Sequence, residues 1–291
     1  MTSNTYQAIL KETNQGPEVR KPLLEKLQQM REGRAVVSFF ISHQGTTPLS
    51  QADADMIEEV LTNTDTSQGI TLLLDAPGGD GLAAERIIQI CKSYTGRDFE
   101  TVVPSRAKSA ATMVCLGSDR IIMSPTSELG PIDPQVPMDL GDGLGVRWVA
   151  AHHIIKSYES LMERAQQAGQ IAPYLQQLSM YNPVLIDQLI TVSKLAEDIA
   201  VNSIKNGMLQ DKEGDEIRRL IEPFTNVELT MSHGRGIYAS RAKHCGLNIE
   251  ELSVDADEWG TIWALYQRSH WTVNSGVTKL LETVNASYTS I

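Results

Sequence analysis

The sequence predicts an α/β protein with a mainly parallel sheet covered by helices. Apolar runs such as Ile70-Thr71-Leu72-Leu73-Leu74 are continuous rather than alternating, as in strands buried on both faces. These runs alternate along the chain with segments of helical periodicity. Two of the strand-to-helix turns are built from small residues, Pro77-Gly78-Gly79 and Ser109-Ala110-Ala111.

Residues 17–32 form the first amphipathic pattern, with Leu23, Leu24, Leu27 and Met30 on one face and Pro17 and Pro22 near its start. Ala35–Ile41 reads as a strand. Ser50 followed by Asp53 resembles a capping box with Asp in place of Glu, opening a helix through Val60. The strand Ile70–Leu74 runs into the Pro-Gly-Gly turn, and a helix follows from about Leu82 to Tyr94. Thr101–Val103 is a strand, Ser109–Leu116 a short helix, and Arg120–Met123 a strand. The stretch Ser124–Gly145, rich in Pro, Gly and Asp, reads as a long irregular connection. Val149–Gly207 reads as helical, ending at Asn206-Gly207. Ser240–Cys245 is a short helix stopped by Gly246, and Trp259, Ile262, Trp263 and Tyr266 define a last amphipathic helix. No repeat and no long linker divides the chain. The expected organisation is an N-terminal helical segment (1–32), a central domain (33–255) and a C-terminal helical extension (256–291).

Composition narrows the function. The 291 residues are 41% hydrophobic and 21% charged, ordinary for a globular protein. Basic residues number 25 against 36 acidic ones, a net charge of −11 that argues against general binding to nucleic acid or anionic membrane. The three cysteines, Cys91, Cys115 and Cys245, have no metal-ligand spacing and are expected as reduced, buried thiols. Met1–Gly16 is polar, without the apolar core of a signal peptide, and runs such as Ala35–Ile41 are far too short to span a bilayer. A cytoplasmic location without a membrane anchor is expected. Neither a dinucleotide fingerprint nor a P-loop is present, and neither cofactor nor metal is expected.

Ser109 stands at the start of a helix, where unpaired backbone N–H groups and the helix dipole favour negative charge. The small residues after it would let a carbonyl approach, with the Ala110 N–H as an oxyanion donor. Gly78 and Gly79 can take backbone conformations closed to other residues and so aim a second N–H into the same cleft. Taken singly, such a serine is most often a helix cap and such a Pro-Gly-Gly a turn.

Asp75–Gly79, Ser109–Thr112 and Ser127-Glu128-Leu129-Gly130-Pro131-Ile132-Asp133-Pro134-Gln135 together resemble the serine dehydrogenase proteinase family. That family is a branch of the Clp-protease and crotonase-like superfamily, close to the signal peptide peptidases that use a Ser/Lys dyad. The resemblance continues through Ile154-Ile155-Lys156, His233-Gly234-Arg235, Trp259 and Trp263 to Lys279–Glu282. It implies a Clp/crotonase-like fold, Ser109 as nucleophile, and Gly79 with Ala110 as oxyanion hole, with Gly78 as a further partner. It also implies a peptide or protein substrate and a homo-oligomer. Clp-type subunits take their base from a His on the strand after the nucleophile helix, and Arg120–Pro125 contains none. The Ser/Lys branch uses a downstream lysine, for which Lys156 is the match. That role needs a desolvated lysine, since a free one is protonated at neutral pH. His152 and His153 compete as bases or substrate-orienting groups, although a His pair at a helix start is commonly solvated surface. Lys108 adjoins Ser109, but neighbouring side chains usually diverge. His233 can be read as a late catalytic histidine, a loop His packed on glycine being the commoner outcome. Glu128 and Asp133 are expected to fix their loop. The rivals to a peptidase are a crotonase-type acyl-thioester enzyme and a catalytically inactive scaffold of the same fold.

Overall fold

The structure, a computed structural model, describes residues 5–12, 15–139, 141 and 143–290. Residues 1–4, 13–14, 140, 142 and 291 lie outside these. They fall in the expected N-terminal segment and polar N-terminus, in the loop 124–145, and at the end of the expected extension.

The helices are α1 (Thr5–Lys11), α2 (Pro17–Met30), α3 (Gln51–Thr62), α4 (Gly81–Tyr94), α5 (Ala110–Leu116), α6 (Ala151–Gln167), α7 (Leu175–Leu178), α8 (Pro183–Lys205), α9 (Gly214–Leu220), α10 (Glu222–Thr225), α11 (Val227–Thr230), α12 (Ala239–His244) and α13 (Asp257–Val273). The strands are β1 (Ala35–Ile41), β2 (Ile70–Asp75), β3 (Phe99–Val103), β4 (Arg106–Ala107), β5 (Arg120–Met123), β6 (Glu128–Leu129), β7 (Gln135–Asp139), β8 (Val146–Ala150), β9 (Ile237–Tyr238), β10 (Ile249–Glu251), β11 (Lys279–Glu282) and β12 (Ser287–Ser290).

The central sheet has seven strands in the order β10-β5-β3-β2-β1-β11-β12. The first five are mutually parallel, and β11 and β12 add an antiparallel edge. Side-chain alternation divides the strands between two cores. Val37, Phe39 and Ile41 of β1, with Leu72 and Leu74 of β2, join the core that also holds Ile57 of α3, Ile87 of α4 and Val114 of α5. Val36, Phe40 and Leu73 face the other way, onto Leu24 and Leu27 of α2 and Trp259 and Ile262 of α13. The strands read as continuously apolar because both faces are covered. This is the mainly parallel, helix-covered α/β fold of the Clp/crotonase-like class.

The elements differ from the sequence expectation in three places. Part of the expected loop 124–145 is ordered as β6 and β7, and β7 pairs with β8 in a separate two-stranded sheet. Val149 and Ala150, expected as helix, belong to β8. The C-terminal region is not helical throughout, since after α13 it supplies β11 and β12. Lys279 and Glu282 are charged, yet both are buried and paired. Lys279 Nζ lies 2.6 Å from Asp53 Oδ2, the carboxylate that also accepts from the Ser50 N–H at 2.7 Å in the expected cap of α3. Arg20 holds Glu282 in a two-point pair at 2.6 and 2.8 Å. Arg20→Met leaves the Glu282 carboxylate buried without its cation. We expect a loss of about 3–5 kcal/mol in equilibrium denaturation.

Cys91, Cys115 and Cys245 are free and buried, as expected. Burial pushes the Cys91 and Cys115 thiols up to about 12.

Candidate active site

The loop carrying Ser109 is tied to the end of β2. Ala76 bridges Ala107, its N–H donating to Arg106 O at 3.2 Å and its carbonyl accepting from the Lys108 N–H at 3.0 Å. Buried Asp75 accepts the Arg106 N–H at 3.0 Å on one oxygen and meets His43 Nε2 at 2.9 Å on the other. This carboxylate therefore fixes the serine loop against the strand that leads into Gly78.

At Ser109 the backbone takes φ 48° and ψ −120°, a conformation that favours glycine. A non-glycine residue held there costs on the order of 1–3 kcal/mol, and such outliers gather at functional sites. A sharp strand-to-helix turn of this kind presents a nucleophile's hydroxyl outside the helix. Ser109 is the N-cap residue of α5 but makes no side-chain cap bond. Among the described residues its hydroxyl has no hydrogen-bond partner, so helix capping does not account for it.

The glycines fit this turn. Gly78, at φ 108°, is buried, and a Cβ there would lie 2.6 Å from Ser109 Cβ and 3.2 Å from the Ala110 nitrogen. Only glycine leaves the Ala110 N–H open. Gly79, at φ 150°, is pinned beside Leu49: the Leu49 N–H donates to Gly78 O at 2.7 Å, and the Asp80 N–H donates to Leu49 O at 2.9 Å. Among the described residues the N–H groups of Gly78, Gly79 and Ala110 have no hydrogen-bond partner. The arrangement can hold a carbonyl oxygen that gains negative charge beside a serine hydroxyl.

The proton-handling residues are distributed differently from the expectation. Lys156, on α6, is 57% exposed and ion-paired with Glu228, and His152 Nε2 approaches the same carboxylate at 3.3 Å. His153 stacks edge-on to His152, ring centroids 5.9 Å apart. Among the described residues no hydrogen bond joins Lys156, His152 or His153 to Ser109. The structure thus brings Gly78, Gly79, Ser109 and Ala110 together and leaves Lys156 at the surface of α6.

Lys108 is mostly buried. Its Nζ lies 2.9 Å from Glu128 Oε1 and donates to Leu129 O at 3.3 Å and Gly234 O at 3.5 Å. Thr112 of α5 anchors the same region, donating to Ala107 O at 2.7 Å and accepting the Gly130 N–H at 3.0 Å.

One pair escaped the sequence reading: His233 Nδ1 lies 2.9 Å from Asp133 Oδ1. Both residues stand in segments that carry the family resemblance. Nothing in their spacing announces a contact across this length of chain.

Residues 46–143 match the family of ClpP-like SDH-type serine proteinases. An uncharacterized protein of Methanocaldococcus jannaschii is 27% identical over 219 residues, 74% of this chain and 65% of its own length. A second from the same organism is 24% identical over 198 residues, 68% of this chain and 57% of its own. The chain therefore spans less than two thirds of these relatives. A mutant of the 1510-N membrane-bound stomatin-specific protease has a solved structure that is 21% identical, covering 47% of this chain and 65% of its own, with a TM-score of 0.31. Among the described residues no helix is long and apolar enough to cross a membrane. The stretch that matches this family, residues 46–143, is the one that carries Gly78, Gly79, Ser109 and Ala110.

Proposed function

We propose that the chain is a serine peptidase that cleaves peptide bonds through an acyl-enzyme on Ser109. The observation that carries this reading is the strained, uncapped Ser109 set against Gly78, with the Gly79 and Ala110 N–H groups unpartnered beside it. Ser109 Oγ attacks the peptide carbonyl and its proton passes to a base. The Gly79 and Ala110 N–H groups hold the oxyanion, with Gly78 keeping that space clear. Collapse breaks the C–N bond, the protonated base gives its proton to the leaving amine, and water then hydrolyses the ester.

In the Ser/Lys form implied by the resemblance, Lys156 is the base. That form requires Lys156 to part from Glu228 and lose its solvent, because an ammonium must be desolvated to serve near neutrality. A homo-oligomer belongs to the same proposal. It is supported by apolar side chains exposed on β8 and around α7 and α8, among them Val146, Trp148, Met180 and Val184. The cytoplasmic setting is also proposed, and the three free buried thiols fit a reducing compartment.

The test is turnover of a fluorogenic peptide library against a panel of acyl-coenzyme A thioesters by the purified chain. Peptide cleavage is expected. Turnover of thioesters alone would establish the crotonase-type alternative, and turnover of neither would leave an inactive scaffold.

A further inference from the structure

Loop 42–50, which joins β1 to α3, touches both halves of the site. Near its end, Leu49 is fully buried beside the glycine turn. Its N–H donates to Gly78 O at 2.7 Å, and its carbonyl accepts from the Asp80 N–H at 2.9 Å. These two bonds bracket Gly79 and so set the direction of its N–H. Near the start of the loop, His43 meets Asp75, the carboxylate that holds the Arg106 N–H of the serine loop.

The loop is fastened at both ends to one C-terminal segment, residues 274–279. The Ser42 N–H donates to Thr278 O at 2.8 Å, and the Ser42 hydroxyl donates to Asn274 Oδ1 at 2.6 Å. At the other end, Lys279 Nζ lies 2.8 and 2.6 Å from the two Asp53 oxygens and 3.3 Å from Ser50 Oγ. Asp53 Oδ2 in turn accepts the Ser50 N–H at 2.7 Å and the Ser50 hydroxyl at 3.0 Å. Ser50 directly follows Leu49. Register explains the reach of Lys279: it pairs with Ile41, whose side chain lies in the core under α3. Glu282, three residues on, pairs with Ser38 and meets Arg20 of α2 instead.

A Ser/Asp capping box is complete without a cation. Lys279 is nonetheless 8% exposed and Asp53 1%. Burying two charges is costly, and apolar side chains in place of such a pair are often as stable. Stability therefore does not account for the lysine. What the pair does supply is a fixed position for Ser50, and with it for Leu49.

We infer that Lys279 is a positioning residue for the oxyanion hole, acting through Asp53, Ser50 and Leu49 on the Gly79 N–H. The inference rests on the peptidase reading of Ser109 and Gly79. A donor helps only when aimed at the developing oxyanion, and a displacement of about 1 Å caused from a distance can cost about 10² in rate.

The test is steady-state cleavage of one fluorogenic peptide by Lys279→Met, with Arg20→Met as control. Each variant strips the cation from a buried carboxylate at β11, but only Lys279 reaches loop 42–50. Both are assayed at a temperature at which circular dichroism shows them folded. Lys279→Met should lower kcat by about 10–10² with KM nearly unchanged, whereas Arg20→Met should keep wild-type kcat. Hydrogen exchange should quicken at the Leu49 and Asp80 amides in Lys279→Met and not in Arg20→Met. Adding Asp53→Asn to Lys279→Met should restore most of kcat, because asparagine keeps an acceptor for the Ser50 N–H and leaves no charge unpaired. Wild-type kcat in folded Lys279→Met, or an equal loss in both single variants, would overturn the inference and leave the peptidase reading standing. A double variant no faster than Lys279→Met would overturn it likewise. A wild-type protein that cleaves no peptide and whose Ser109 is never labelled by a fluorophosphonate would overturn both. If Lys279→Met fails to fold, Lys279→Gln, polar and of similar bulk, takes its place under the same expectations.

Discussion

Ser109→Ala is expected to abolish peptide hydrolysis without unfolding the protein. Removing the nucleophile of a serine peptidase costs about 10⁶ in kcat, the residue being what binding and the oxyanion hole supply alone. An ordinary N-cap serine would also cost about 1 kcal/mol of stability when replaced by alanine. Ser109 makes no cap bond, so that penalty should be absent. A companion variant separates chemistry from strain. Ser109→Gly should be equally inactive yet more stable by about 1 kcal/mol, because φ 48° is relaxed for glycine and strained for serine. Stability gained at the expense of activity is what a strained functional residue predicts. Paired kinetics and denaturant melts check this. A Ser109→Gly protein that is less stable than wild type would contradict the strain account, and an active Ser109→Ala protein would contradict the nucleophile assignment.

Gly79→Val is expected to have the second largest effect on activity. A Cβ at this position would lie 2.3 Å from Leu49 O and 2.5 Å from Leu49 N, at a φ of 150° that side chains rarely adopt. Neither obstacle is the far end of a flexible side chain. The backbone must move, and the Leu49–Gly79 bridge with it. The Gly79 N–H then leaves its place, and losing one oxyanion donor typically lowers kcat by about 10²–10³. KM should change much less, since the donor acts on charge that develops only in the transition state. Steady-state kinetics on one peptide, with a melt to follow the strain, distinguish this from general unfolding. Wild-type kcat in a folded Gly79→Val protein would move the oxyanion role elsewhere.

Much of this architecture is legible in the sequence because of how strands buried on both faces are written. Val36 and Val37, or Leu72 and Leu73, point into opposite cores, so the runs that carry them lack alternation and mark a covered parallel sheet. The turns were legible too, since Gly78, Gly79 and Ser109 stand where strands hand over to helices. Strand β11 was not, because Lys279 and Glu282 look like solvent-facing charges and their partners, Asp53 and Arg20, are remote in the chain. Strand β8 was hidden for a related reason. Its exposed half is paired only with β7, and Val149 and Ala150 continue without a break into the pattern of α6. The site shows the same division. Local backbone needs at Gly78, Gly79 and Ser109 are encoded within a few residues. The contact of His233 with Asp133 arises only when β9 pairs with β6, and the pairing of Lys156 with Glu228 only when α6 meets the chain near α11.

The central claim is that Ser109 is the nucleophile and that the Gly79 and Ala110 N–H groups receive the oxyanion. The most direct measurement is a crystal structure of the chain treated with a peptide boronic acid, which mimics the tetrahedral intermediate. The account predicts a covalent bond from Ser109 Oγ to boron and one boronate oxygen within about 2.7–3.1 Å of both N–H groups. Boron bound to another residue, or a Ser109 adduct whose oxygens all point away from Gly79 and Ala110, would contradict it.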